Sequence, residues 1–173
     1  MDLRAHIRDI PDFPKPGIVF KDLTPLLLYP PALEHTIELL CKYAGERDAD
    51  LVVAAEARGF ILGGAVAART GAGFIPARKP GKLPAETDSV EYALEYGIDA
   101  LEVHNDAFAG GARVLVHDDL LATGGTARAL CDLVERAGAE VVGCAFVIEL
   151  AFLEGRKRLE GYDVRSLVRY EEE

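Results

Sequence analysis

Leu51 to Ala55 reads LVVAA, five residues without a polar side chain. A short run of that kind fits a strand covered on both faces, the strand type of a parallel sheet. The segments RVLVHD from Arg113 and VVGCAFVIEL from Val141 repeat the pattern, and a further strand is expected around Phe74–Arg78. Helical patterns lie between them. One is a small-residue stretch ending near Gly71, and another carries Ala127, Leu130, Val134 and Ala137 on one stripe. Earlier, Leu3, Ile7 and Ile10 recur at helical spacing before PDFPKPG breaks the chain. After Pro30-Pro31 the positions Leu33, Ile37, Leu40, Cys41 and Ala44 give an amphipathic helix. VRSLVRY closes the chain, with YEEE read as a solvated tail. Strand and helix alternate through the middle, which predicts an α/β fold with a doubly wound parallel sheet, residues 1–173 forming one domain. Ligands of such sheets bind beyond the carboxyl ends of the strands. The segments EARG, ARKPGK and DDLLATGGT leave strand ends there.

Charge narrows the partners. The formal net charge of −10 argues against a general nucleic-acid or membrane-surface binder, which presents a basic face. It leaves room for an anionic small molecule held by a local cluster of Arg and Lys. Cys41, Cys131 and Cys144 are odd in number and far apart, a pattern of reduced thiols in a cytosolic protein. The N-terminal MDLRAHIRDI is too polar for a signal peptide, and no apolar run approaches membrane-spanning length. These features point to a cytoplasmic protein.

The segment VLVHDDLLATGGTARAL, Val114–Leu130, carries the chemistry. A turn of small residues lets backbone N–H groups converge, and the following helix adds its unpaired N-terminal donors and positive dipole end, so the turn suits a phosphate. No Lys follows the glycines and the G-x-G-x-x-G spacing is absent, which excludes a Walker loop and a dinucleotide fingerprint. Asp118 and Asp119 stand just upstream. Carboxylates beside a phosphate nest make sense if they hold the hydroxyls of an attached sugar, directly or through Mg²⁺. The whole motif reads as a cradle for a ribose 5-phosphate.

VLVHDDLLATGGTA resembles the phosphoribosyl pyrophosphate motif of the type I phosphoribosyltransferases, and LLATGGT resembles the members that act on adenine. FPKPGIVFKDLTPLL, EARGF, RKPGKLP and LEYG match in family order, so the resemblance covers nearly the whole chain. It implies the family's doubly wound sheet with a small N-terminal hood and a flexible lid loop. It also implies a reaction, adenine plus phosphoribosyl pyrophosphate giving AMP and pyrophosphate in purine salvage, with Mg²⁺ bound mainly through the substrate, in a cytoplasmic homodimer. By the same resemblance Ala122, Thr123, Gly124, Gly125 and Thr126 wrap the 5-phosphate, and Asp118 and Asp119 face the ribose. Arg58, Arg78 and Lys82 contact the pyrophosphate, with Lys79 secondary, and the Glu56–Ala57 peptide is cis. Glu95 handles the purine's ring proton as general acid/base, with Tyr96 packing beside it. Phe20 stacks on the base, while Val19 and Lys21 offer main-chain groups to its edge. Composition alone makes Pro80–Glu91 either a plain surface loop or a lid, and the resemblance selects the lid. His117 stands where the family more often has an aliphatic residue and reads as a partly buried, hydrogen-bonded His.

The inventory suits such a transfer. Substitution at the anomeric carbon builds positive charge on the sugar as pyrophosphate leaves, so anions belong near the ring and cations on the leaving group. A 6-oxopurine or orotate as acceptor is the alternative within the class. A non-catalytic sensor of phosphoribosyl pyrophosphate is the alternative outside it, disfavoured by the acidic charge and the intact LEYG.

Overall fold

The computed structural model describes residues 1–93, 98–108 and 110–172. A 3-10 turn at Arg4–His6 leads into β1 (Arg8–Ile10), which pairs antiparallel with β2 (Phe20–Asp22). Two helices, α1 (Thr24–Leu28) and α2 (Pro30–Gly45), precede β3 (Leu51–Ala55), α3 (Gly59–Thr70) and β4 (Gly73–Ala77). An antiparallel ribbon of β5 (Thr87–Ala93) and β6 (Ile98–His104) comes next. The chain ends with β7 (Arg113–Leu121), α4 (Gly125–Arg136), β8 (Glu140–Leu150) and β9 (Val164–Tyr170).

The central sheet has the order β4-β3-β7-β8-β9 and is parallel throughout. Its inner strands β3, β7 and β8 read as apolar runs because both faces are covered, and the period-2 alternation divides their side chains between two cores. Val53, Val114, Val116, Cys144 and Phe146 pack with Leu130 and Val134 of α4. Val52, Leu115, Ala145 and Val147 pack with Leu40 of α2 and Leu62 and Val66 of α3. Helices α3 and α4 therefore lie on opposite faces. The chain moves outward from β3 to β4 in one direction and from β7 to β8 in the other, so the topological switch point falls between β3 and β7.

Three expectations are corrected. The helical spacing of Leu3, Ile7 and Ile10 yields only a 3-10 turn, because Arg8–Ile10 is drawn into β1 against β2 and Arg8 Nη2 lies 2.6 Å from Asp22 Oδ2. A helix that short is marginal without tertiary packing. The polar stretch Pro80–Glu91 is not loop throughout: from Thr87 it forms β5, with Val90 turned into the core. YEEE is not all solvated tail, since Tyr170 is a buried end of β9 with Arg4 and Lys21 over its ring.

His117 in β7 is fully buried, deeper than expected, and its Nδ1 lies 2.9 Å from the Ala145 carbonyl oxygen. Burial lowers its pKa to about 4 from an ordinary 6.5. The folded state thus holds His117 neutral, and the stability this contributes is present above pH 6.5 and lost as pH falls toward 4. The loss reaches about 3 kcal/mol. In urea titrations from pH 7 to pH 4.5, His117→Leu is expected to show a flatter pH dependence than the parent. Equal slopes in the two proteins would contradict the assignment.

Candidate active site

Beyond the C-terminal end of β3 the sheet opens. Pairing between β3 and β7 stops at Ala54 and His117, whereas β7 continues beside β8 to Leu121. Asp118 and Asp119 thus lie within β7, one strand edge released, rather than after its end. The Asp119 amide donates to Asp118 Oδ1 at 2.9 Å, and Arg58 Nε meets Asp119 Oδ2 at 2.8 Å. Arg58 stands at the N-terminal boundary of α3, directly after the Glu56–Ala57 peptide, which is cis. The helix can sit this close because Gly59 follows: a Cβ there would come within 2.9 Å of Asp118 Oδ1. Burial and the charge of Asp119 push the Asp118 carboxyl well above the usual range. Burial also raises Asp119, and Arg58 offsets part of the rise.

A cleft of about 240 Å³ opens at this point, lined among others by Glu56, Arg58, Lys79, Asp118, Asp119 and Thr126. The structure therefore brings together Arg58, Lys79, both acids and the last residue of the expected phosphate turn. Arg78 and Lys82 stand beside it, gathered on Glu56. Arg78 Nη2 and Lys82 Nζ lie 3.3 and 3.1 Å from Glu56 Oε2, and the Lys79 amide donates to Oε1 at 2.6 Å. Burial acts to raise the Glu56 carboxyl, but the Lys79 amide and Lys82 outweigh it and hold it below its ordinary value. The segment is anchored to β6 by paired Arg78 and Glu102 backbones, and by Glu102 Oε2 accepting from the Gly81 amide at 3.1 Å.

Sequence reasoning missed Glu56, Tyr92 and Asp99. Lys79 Nζ meets Asp99 Oδ2 at 2.8 Å, and the Tyr92 hydroxyl lies 3.5 Å from both Asp99 Oδ2 and Thr126 Oγ1. The legible signal for Glu56 was its place within EARGF. Asp99 and Tyr92 carried none, because the antiparallel register alone sets them opposite each other. Glu95 and Tyr96 lie outside the described residues.

The Ala122–Gly124 turn leads into α4, with Gly124 at φ 81°, a backbone region that glycine enters freely. Gly125 opens the helix, so its first N–H groups lack intrahelical partners. On the other side, Phe20 of β2 meets Phe13 edge-on with centroids 5.3 Å apart, and the Arg58 guanidinium lies 5.4 Å from its ring centre. Phe20 thus stands beside Arg58, and Val19, half-buried, directly precedes it in the chain. The Lys21 side chain points away, 3.0 Å from Asp9 Oδ1 and over Tyr170.

Among the described residues no group of three or more His, Cys, Asp or Glu is placed to hold a metal ion. Two adjacent carboxylates with an open side suit a Mg²⁺ ion that takes most of its ligands from substrate oxygens and water.

The phosphoribosyl transferase domain model matches residues 28–170. An adenine phosphoribosyltransferase of Thermotoga sp. (strain RQ2) is 57% identical over 170 residues, covering 98% of this chain and 100% of that protein. The crystal structure of adenine phosphoribosyltransferase from Thermoanaerobacter pseudethanolicus superimposes with a TM-score of 0.94 at 54% identity, covering 98% of each chain. That of the Saccharomyces cerevisiae enzyme, complexed with an imino-altritol bisphosphate and adenine, does so with a TM-score of 0.91 at 37% identity, covering 96% of each.

Proposed function

The chain belongs to the phosphoribosyl transferase family, among its adenine phosphoribosyltransferases, and on that premise we propose how the residues around the β3–β7 opening perform the transfer. Phosphoribosyl pyrophosphate lies with its 5-phosphate in the Ala122–Thr126 turn and its pyrophosphate toward Arg58, Arg78 and Lys82. Adenine lies against Phe20, with main-chain groups of Val19 and Lys21 at its edge. The carbon–oxygen bond to pyrophosphate breaks as the adenine nitrogen bonds to the anomeric carbon, and the ring proton passes to Glu95. Positive charge building on the sugar is offset by Asp118 and Asp119. Mg²⁺, when bound through the donor's oxygens, supplies positive charge to the leaving pyrophosphate.

The observation that carries this reading is the juxtaposition of the acid pair with Arg58 and with Thr126, in the first turn of α4, in one cleft. It accounts for two costs. Carboxyls raised by burial are ones whose charge is more stable in water, so their retention fits a site that needs anions when the donor binds. Basic side chains gathered on Glu56 fit a cluster that exchanges one carboxylate for a polyanion. The reading carries with it a homodimeric, cytoplasmic enzyme. Among the described residues no helix is long and apolar enough to cross a membrane.

Turnover with adenine, hypoxanthine, guanine and orotate tests the acceptor. Adenine is expected to exceed each of the others by at least tenfold in kcat/KM, and chelation of divalent metal is expected to lower the rate with adenine tenfold or more. A preference for an oxopurine or orotate would overturn the base assignment.

A further inference from the structure

The phosphate turn is backed by a segment that begins 31 residues after Gly124. Gly155 opens the 3-10 segment Gly155–Leu159 after β8 and is buried. A Cβ on Gly155 would overlap the Ala122 carbonyl oxygen and stand 3.1 Å from the Gly124 nitrogen, and a Cβ on Gly124 would overlap the Gly155 carbonyl. The two backbones touch with no side chain between them. The next residue, Arg156, reaches back to Glu149 with two parallel contacts, Nε to Oε1 at 2.7 Å and Nη2 to Oε2 at 2.8 Å, and its Nη1 donates to the Val164 carbonyl at 3.1 Å. Glu149 is 2% exposed and pairs in register with Leu121, the residue just before the phosphate turn.

We infer that Glu149 and Arg156 are positioning residues for the 5-phosphate turn, acting through the backbone of Gly155. A bidentate Arg–carboxylate pair fixes orientation as well as distance. Here it ties the start of the 3-10 segment to β8 and β9, and the segment presses Gly155 against Ala122 and Gly124. A cradle of backbone N–H groups depends on such support, because a displacement of about 1 Å at a binding site can cost two orders of magnitude. Burial alone would raise the Glu149 carboxyl, but the Arg156 contacts hold it below its ordinary value, so the pair stays ionised through neutral pH. The inference rests on the Ala122–Thr126 turn holding the 5-phosphate, as proposed above.

The test measures Kd for AMP, pyrophosphate and adenine, KM and kcat, and melting temperature for Gly155→Ala, Arg156→Met, Arg156→Lys and Glu149→Gln. Thr126→Ala serves as a reference inside the turn. AMP carries the 5-phosphate and pyrophosphate does not. Gly155→Ala and Arg156→Met are expected to raise Kd for AMP and KM for phosphoribosyl pyrophosphate about tenfold, with pyrophosphate and adenine within twofold. Arg156→Lys, which keeps the charge but not the fork, is expected to fall between Arg156→Met and the parent. If Gly155→Ala does not fold, Arg156→Lys and Glu149→Gln carry the comparison. Equal weakening of all three ligands, or no change for AMP in folded variants, overturns the inference. If Thr126→Ala weakens AMP while the others do not, only the Glu149–Arg156 role falls. If Thr126→Ala also leaves AMP unchanged, the phosphate-turn reading falls, and the inference with it.

Discussion

Asp119→Asn is expected to lower kcat by about two to three orders of magnitude, comparable to removing one charge-stabilising group from a preorganised site. The substitution keeps the size and most hydrogen-bonding capacity of the side chain, and it removes only the negative charge opposite the developing positive charge of the sugar. The same change should not destabilise the protein at pH 7 to 8. Burial raises the Asp119 carboxyl, and a carboxylate raised on folding withdraws stability as pH climbs through its folded pKa, so neutralising it relieves that cost. The lost ion-pair partner, Arg58, has a side chain 43% exposed and is left in contact with water. A large rate loss without a lower melting temperature is therefore the signature. A rate within fivefold of the parent would remove Asp119 from the mechanism.

Arg58→Ala should lower kcat/KM for phosphoribosyl pyrophosphate by about two orders of magnitude, the scale of losing one charge-assisted contact to a polyanion together with the order it gives the acid pair. Its second consequence is a pH effect of fixed sign. Arg58 holds the Asp119 carboxyl down against burial, so without it Asp119 protonates at higher pH. With the carboxylate form as the active one in the proposed mechanism, the acid limb of the kcat/KM profile should move upward. Arg58→Lys should restore part of the limb's position without restoring the full rate, since an ammonium supplies charge but not the guanidinium fork. An unchanged acid limb in Arg58→Ala would separate Arg58 from Asp119 in function.

Much of the scaffold was legible because two periodicities state it directly. LVVAA, RVLVHD and VVGCAFVIEL fit covered strands, and the stripe through Leu130 and Val134 marked the face of α4 that fills one core. DDLLATGGT marked itself as a candidate site, since glycines and paired acids at a strand-to-helix junction are costly without a ligand to offset them. Elements fixed by long-range partners were not legible. Arg8–Ile10 becomes a strand because Phe20–Asp22 is beside it, and Tyr170 is buried because it joins an apolar cluster with residues as distant as Leu3, with Arg4 and Lys21 over its ring. For the same reason Glu56 was seen as part of a motif but not as the carboxylate on which Arg78 and Lys82 gather. Gly155 lies 31 residues from Gly124, which it touches, and nothing local marks that contact.

The most direct measurement is a crystal structure of the protein with AMP. The 5-phosphate should lie within hydrogen-bond distance of the backbone N–H groups of Ala122–Thr126, the ribose hydroxyls beside Asp118 and Asp119, and the base against Phe20. A nucleotide bound elsewhere, with the Ala122–Thr126 turn contacting only solvent, would contradict the assignment of the site and the chemistry drawn from it.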